Sequence, residues 1–317
     1  MDSIPTVELS RTVEAGELKV VAAEVDRACR EIGFFRIEGH GISDDLIDTV
    51  YAVSRSFFDQ PDHAKAKCNS ADSSFLGYRG VSTLHASTSE TSAGHDLKET
   101  FTIGLDQTEA GLQPSESEFF PANIWPDDVA GFRQEFESLY SEIRSLASRL
   151  GALFAAALEV PWDFFIQRMD IQTSWLTSIN YPGNRPARTH GPLRFGAHRD
   201  RGFFTILSTT GPGLEVQLES GEWASIPNIP GSLLVNVGSM LAGWTGRRWV
   251  ARMHRVIEVD DGVGYCRRRQ TLVFFCNPNH DATLDLLPFA GTKPRPVSTG
   301  PSVTAGDYLR SMLALYR

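Results

Sequence analysis

Phe203-Phe204-Thr205-Ile206-Leu207-Ser208-Thr209-Thr210-Gly211-Pro212-Gly213-Leu214-Glu215-Val216-Gln217-Leu218 reads as a strand, a break and a second strand. Phe203 to Ser208 is dense in aromatic and aliphatic side chains, the Gly-Pro-Gly triplet stops it, and Leu214 to Leu218 alternates apolar and polar residues with period two. The same texture recurs at Leu176 to Tyr181, Ser232 to Val237, Trp249 to Val259 and Thr271 to Phe275, each run bounded by Gly, Pro or Asn. Strands this short and this regularly punctuated predict a sandwich or jelly roll and not βαβ units. Before them, Val129, Phe132, Phe136, Leu139, Ile143, Leu146, Leu150 and Phe154 hold one apolar face, which predicts a long helix over about 127–157. After them, Asp307 to Leu315 is amphipathic and predicts a closing helix. The fold class expected is α+β, mainly β, with helices flanking a jelly-roll core.

Upstream, Ile4 to Leu9 alternates like a short strand, Leu18 to Ile32 has helical three-four spacing ended by Gly33, and Phe34 to Glu38 reads as a strand. A second helix runs from Ser43 to Phe58 and stops before Pro61, while 66–121 is polar and irregular, with short strands expected around Phe75–Tyr78 and Phe101–Ile103. The expected organisation is an N-terminal region, 1–125, packed on a catalytic region, 126–317, as one compact unit without repeats or long linkers. Composition agrees with a globular chain: 41% hydrophobic and 22% charged residues argue against disorder over the 317 positions. A net charge of −9 repels phosphate backbones and anionic membranes, so neither nucleic acid nor membrane is expected as a partner. Met1-Asp2-Ser3-Ile4-Pro5 carries an acid where a signal peptide carries Lys or Arg, so a cytoplasmic location is expected. Cys29, Cys68, Cys266 and Cys276 lack any C-x-x-C spacing and read as reduced thiols.

Metal chemistry must then come from His and carboxylates. In Phe195-Gly196-Ala197-His198-Arg199-Asp200, an imidazole and a carboxylate lie two residues apart in a β-like stretch, where period two puts both on one face. His254, near the end of a later run, is available as a third ligand. Two His and one carboxylate on one face of an octahedron leave positions open, an arrangement suited to non-haem ferrous iron. Alone, His-x-Asp is weak, because eight histidines and thirty-nine acids produce such pairs by chance. Fifteen residues after His254, Arg269-Gln270-Thr271 projects a guanidinium and a hydroxyl together, a pair suited to gripping a carboxylate. The bland reading of Arg269 is a surface residue within Arg267-Arg268-Arg269.

The order His198-x-Asp200, Gly213-Leu214-Glu215-Val216, Gly221-Glu222-Trp223, Pro230 to Gly238, Trp244, His254-Arg255-Val256 and Arg269-x-Thr271 with Phe274-Phe275-x-x-Pro278 resembles the iron(II)- and 2-oxoglutarate-dependent dioxygenases of the isopenicillin N synthase-like branch. Gly33-Phe34-Phe35 with His40-Gly41, Phe57-Phe58, Lys98-Glu99-x-Phe101 and Trp125-Pro126 extend the resemblance to the N-terminal half. The resemblance implies a double-stranded β-helix core, iron(II) held by His198, Asp200 and His254, and the distal carboxylate of 2-oxoglutarate held by Arg269, Thr271 and Tyr181, with dioxygen as oxidant. It also implies oxidation of a small organic molecule, by default hydroxylation, in specialised metabolism; a monomer is compatible with such a site. Thr stands at 271 where the family usually has Ser, Ile179 falls where the family has an Asn, and the connection from His254 to Arg269 is a few residues longer than usual.

Two alternatives remain at this level. One is an oxidase or cyclase of the same branch that uses the Arg-x-Thr pair for its own substrate and needs no 2-oxoglutarate; the other is a jelly-roll binding protein without turnover. His40 and His190 read as turn and loop histidines. Arg185, Arg188, Arg194, Arg199 and Arg201 crowd the approach to the metal strand and read mostly as solvated surface. Arg194 is the exception, because an unbroken strand to Asp200 points it the way the ligands point.

Overall fold

The computed structural model describes residues 4–13, 16–69, 75–80, 98–105, 118–183, 193–260, 262, 265–285, 287 and 303–313. Strands β1 (Thr6–Glu8), β2 (Phe34–Glu38), β3 (Gly77–Arg79), β4 (Glu99–Gly104), β5 (Trp175–Tyr181), β6 (Phe195–His198), β7 (Phe204–Thr209), β8 (Leu214–Gln217), β9 (Trp223–Ser225), β10 (Leu233–Val237), β11 (His254–Val256) and β12 (Arg269–Cys276) form two sheets. Eight strands lie in the order β1-β2-β10-β7-β12-β5-β4-β3, and four in the order β6-β11-β8-β9. The two sheets face each other as the expected jelly roll. The described α-helices are α1 (Glu17–Glu31), α2 (Asp44–Phe58), α3 (Asp62–Lys65), α4 (Phe132–Ala157), α5 (Ser239–Trp244) and α6 (Ala305–Leu313).

Period two in the large sheet separates two cores. Along β12, Leu272, Phe274 and Cys276 join the core shared with α1, α2 and α4, while Val273 and Phe275 join the core between the sheets. Arg269 and Thr271 have the parity of Val273 and so face the small sheet. The same parity sends Ile179 and Tyr181 of β5, Leu207 of β7, Leu234 of β10 and Phe34 of β2 into the inter-sheet core. The helix side is aromatic: Phe101 stands 4.7 Å from Phe132 and 5.0 Å from Phe57, centroid to centroid. All four cysteines are buried thiols outside any disulfide.

The closing helix starts at Ala305, two residues before the expected Asp307, and three further departures from the sequence reading bear on the site and its supports. Helix α4 starts at Phe132, not near 127, because Gly131 takes φ 75°, a left-handed conformation that a right-handed helix cannot contain. Val129 keeps the apolar period by packing on the core from outside the helix. The run Trp249 to Val259 is strand only at His254–Val256. Its first part serves the end of α1 instead: Val250 N–H donates to Cys29 O, Arg252 to Glu31 O, and Trp249 Nε1 to Asp26 Oδ1. The third departure is at the site, where the strand of His198 ends at His198.

Candidate active site

His198 closes β6 and His254 opens β11, and the two residues are directly paired across the small sheet. Two residues of β11 span three of β6 between this pair and the pair Val256–Phe195, so β6 carries a bulge. The strand is therefore not continuous from Arg194 to Asp200, and Asp200 reaches the ligand face from the turn after β6 and not by strand parity. That turn is tied down by α5, whose first N–H, at Ser239, donates to Asp200 O at 2.8 Å, while Met240 N–H donates to Gly202 O at 3.1 Å.

Asp200 Oδ1 lies 3.6 Å from His198 Nε2 and 3.5 Å from His254 Nε2, and the imidazole centroids are 4.2 Å apart. Each ring has its Nδ1 against a backbone carbonyl, Gly196 O at 2.8 Å and Arg252 O at 3.3 Å. A carbonyl only accepts, so Nδ1 carries a proton in both rings and both Nε2 atoms are turned toward Asp200. The other carboxylate oxygen, Oδ2, accepts from Thr205 Oγ1 at 2.6 Å and Asn236 Nδ2 at 2.7 Å, which leaves Oδ1 turned toward the rings. Burial opposes ionisation of Asp200, but the facing imidazoles hold its carboxyl well below the usual carboxylate range. Burial and the neighbouring His254 push the His198 pKa down.

Two imidazole nitrogens and one carboxylate oxygen thus converge, buried, with ligand atoms within 4.8 Å of one another. Among the described residues no other group of His, Cys, Asp and Glu does so. The donor set, two imidazole nitrogens and one carboxylate oxygen, fits ferrous iron. Thr205 and Asn236 were missed by sequence reasoning. The available signal was a single amide within Leu233-Leu234-Val235-Asn236-Val237 and a single hydroxyl within Phe203-Phe204-Thr205-Ile206, since a polar side chain in a buried run requires a partner.

Arg269 is 3% exposed and is not a surface residue of a cationic run. Its Nη1 donates to Thr271 Oγ1 at 2.5 Å, its Nε to Gly211 O at 3.3 Å, and its guanidinium stands 5.1 Å from the centroid of Tyr181, its neighbour across β5 and β12. Because Thr271 accepts from Arg269, its own hydroxyl proton is free to be donated. No carboxylate among the described residues pairs with Arg269, and burial lowers its pKa. A buried guanidinium without a protein counter-charge suits an anionic ligand. Phe195 packs on the His198 ring with centroids 4.0 Å apart, and Lys98 Nζ stands 2.8 Å from the centre of Phe195. His40 accepts from Ile42 N–H within its own turn, as a structural histidine does. Arg199 is exposed and Arg201 half-buried; Arg185, Arg188 and His190 lie outside the described residues.

Residues 174–278 match the model of the 2OG-Fe(II) oxygenase superfamily, and residues 4–128 match that of the non-haem dioxygenase N-terminal region described from morphine synthesis. A 2-oxoglutarate-dependent dioxygenase of Didymella fabae is 32% identical over 275 residues, covering 83% of this chain and 81% of the relative. The chain belongs to the iron(II)- and 2-oxoglutarate-dependent oxygenases. It is an enzyme of that class, with iron(II), 2-oxoglutarate and dioxygen as its reagents. A homoarginine-6-hydroxylase of Oryza sativa is 29% identical over 298 residues, covering 92% of this oxygenase and 88% of the relative. The crystal structure of a 2OG-Fe(II) oxygenase family protein from Caulobacter crescentus superimposes with a TM-score of 0.85, covering 99% of each chain at 25% identity. These relatives do not favour the cosubstrate-independent oxidase or the non-catalytic binding protein. Among the described residues no helix is long and apolar enough to cross a membrane.

Proposed function

We propose that this oxygenase hydroxylates a small organic molecule in specialised metabolism, with iron(II) held by His198, Asp200 and His254 and the distal carboxylate of 2-oxoglutarate held by Arg269, Thr271 and Tyr181. The observation that carries the reading is the convergence of two Nε2 atoms and one Asp200 oxygen, each fixed from behind by a hydrogen bond to its other polar atom. Bound iron(II) supplies the dioxygen-activating centre that couples decarboxylation of 2-oxoglutarate to oxidation of the second substrate. The chain's own contribution is positioning. Arg269 supplies a fixed cation, Thr271 a hydroxyl donor, and the apolar inter-sheet core, with Ile179 beside Thr271 across the strands, surrounds that end of the sheet. Hydroxylation as the outcome is supported by the homoarginine-6-hydroxylase relative. Specialised metabolism rests on the description of the N-terminal match.

The test is oxygen consumption. Protein loaded with iron(II) is expected to take up dioxygen only when 2-oxoglutarate is present and to release succinate in step. His198→Ala, Asp200→Ala and His254→Ala should each abolish metal binding and turnover while leaving the far-ultraviolet circular dichroism unchanged. Arg269→Ala should cost about 2–5 kcal/mol in cosubstrate binding, and Thr271→Val about 1 kcal/mol. Dioxygen uptake that is equal with and without 2-oxoglutarate overturns the reading.

A further inference from the structure

Arg194 is the most deeply buried charge that the site as described leaves without a task. It is 2% exposed and enters β6 with its backbone N–H on Val256 O at 2.8 Å. Its Nη2 donates to Arg267 O at 2.6 Å, so the guanidinium crosses from the small sheet to the chain that leads into β12. Its Nε is buried with no hydrogen-bond partner, and no carboxylate among the described residues pairs with it. The neighbouring charge is Arg269, two residues past the carbonyl that Arg194 holds, and that cation too lacks a counter-charge. The two guanidiniums repel, and the presence of Arg194 adds to burial in lowering the Arg269 pKa. Two buried cations, with no carboxylate on either among the described residues, are a costly arrangement, and an anion within reach of both reverses the cost.

We infer that Arg194 is a second cationic contact for the distal carboxylate of the cosubstrate, closing from the small sheet a clamp whose other jaw is Arg269 and Thr271 on the large sheet. The inference rests on the assignment of Arg269 and Thr271 proposed above. A carboxylate has about four lone-pair sites; with Nη1 of Arg269 on Thr271 and its Nε on Gly211 O, Nη2 and the hydroxyls of Thr271 and Tyr181 fill three and leave capacity for a further donor. The unpartnered Nε of Arg194 supplies it. Arg194 is thereby a residue that selects dicarboxylic over monocarboxylic keto acids.

Equilibrium titration of the anaerobic iron(II) protein tests this without turnover. Isothermal calorimetry gives dissociation constants for 2-oxoglutarate and for 2-oxopentanoate, which has the same keto-acid head and no distal carboxylate. Arg194→Gln should weaken 2-oxoglutarate at least tenfold, leave 2-oxopentanoate within twofold, and so collapse the ratio of the two constants. Arg194→Lys should recover part of the ratio. Arg194→Met, which keeps length and bulk, carries the same measurement if the amide variant does not fold, and Arg199→Gln, an exposed neighbour, should leave both constants unchanged. Wild-type protein that binds neither acid is a failure of the site assignment above. Wild-type selectivity that Arg194→Gln or Arg194→Met leaves within twofold overturns the role of Arg194 alone, as does equal weakening of both ligands, which marks a residue that only shapes the chamber.

Discussion

Asp200 divides its two oxygens between the rings and the scaffold, and the scaffold side is where the site is tuned. Thr205 and Asn236 both donate to Oδ2, from adjacent strands β7 and β10, so the carboxylate is fixed in rotation before any ligand arrives. Removing either donor frees the carboxylate to turn. Thr205→Val and Asn236→Ala are each expected to weaken metal affinity about 10–100-fold, the usual effect of losing such an outer hydrogen bond. Thr205→Ser should restore it, because only the hydroxyl is needed; anaerobic iron(II) titration reads all three. The convergence of His198, Asp200 and His254, and the contact of Arg269 with Thr271, were legible from the order of the motifs together and not from any one spacing, since His-x-Asp alone is weak. The supports were not, since Thr205 and Asn236 act by what they touch from other strands. The shared face expected for His198 and Asp200 was right in outcome and wrong in cause: the strand stops at His198, and α5 holds the turn that brings Asp200 round.

Gly33 joins α1 to β2 and sets how the N-terminal helix lies on the sheet. Its φ is +74°, its carbonyl accepts from Val237 N–H at 2.9 Å, and a Cβ placed there falls 2.1 Å from Val250 O. Gly33→Ala therefore meets both a left-handed backbone and a fixed carbonyl. The backbone conformation alone costs about 1–2 kcal/mol, and the collision adds to it, so a loss above about 2 kcal/mol is expected from denaturant titration. Glu31→Ala, an exposed neighbour, should stay within about 0.5 kcal/mol. Elements with strong local periodicity, such as β2, α1 and the body of α4, were legible from the chain alone. What was not legible followed from tertiary demands: α5, six residues long, exists to receive the carbonyls of Asp200 and Gly202, and the stretch before His254 gives up strand pairing to cap α1. Such short segments have no period of their own, so nothing local announces them.

At the scale of the molecule, the large sheet takes its centre from the C-terminal region and both edges from the N-terminal one: β1 and β2 flank β10, while β3 and β4 flank β5. Neither region completes the sheet alone. His40, in the turn after β2, ties this arrangement to α4: its carbonyl accepts from Arg149 of α4, and its Nδ1 accepts from Ile42 N–H at 3.1 Å, which requires a neutral ring. Burial pushes the His40 pKa below the ordinary value, outweighing a hydrogen bond to the Gly231 backbone and the charge of Asp44, with Arg149 acting in the same direction as burial. The unfolded chain then binds a proton that the folded chain refuses. Its contribution is fully present above about pH 6.5, the unfolded value, and is lost as pH falls from there through the lower folded value. Thermal melts of metal-free protein from pH 7.5 to 5 should show the midpoint falling in that window. His40→Asn keeps an acceptor for Ile42 N–H and does not titrate, so the difference between wild type and variant should favour wild type least at the acid end. A difference constant across the window assigns the acid loss to other groups and leaves His40 charged in the folded chain.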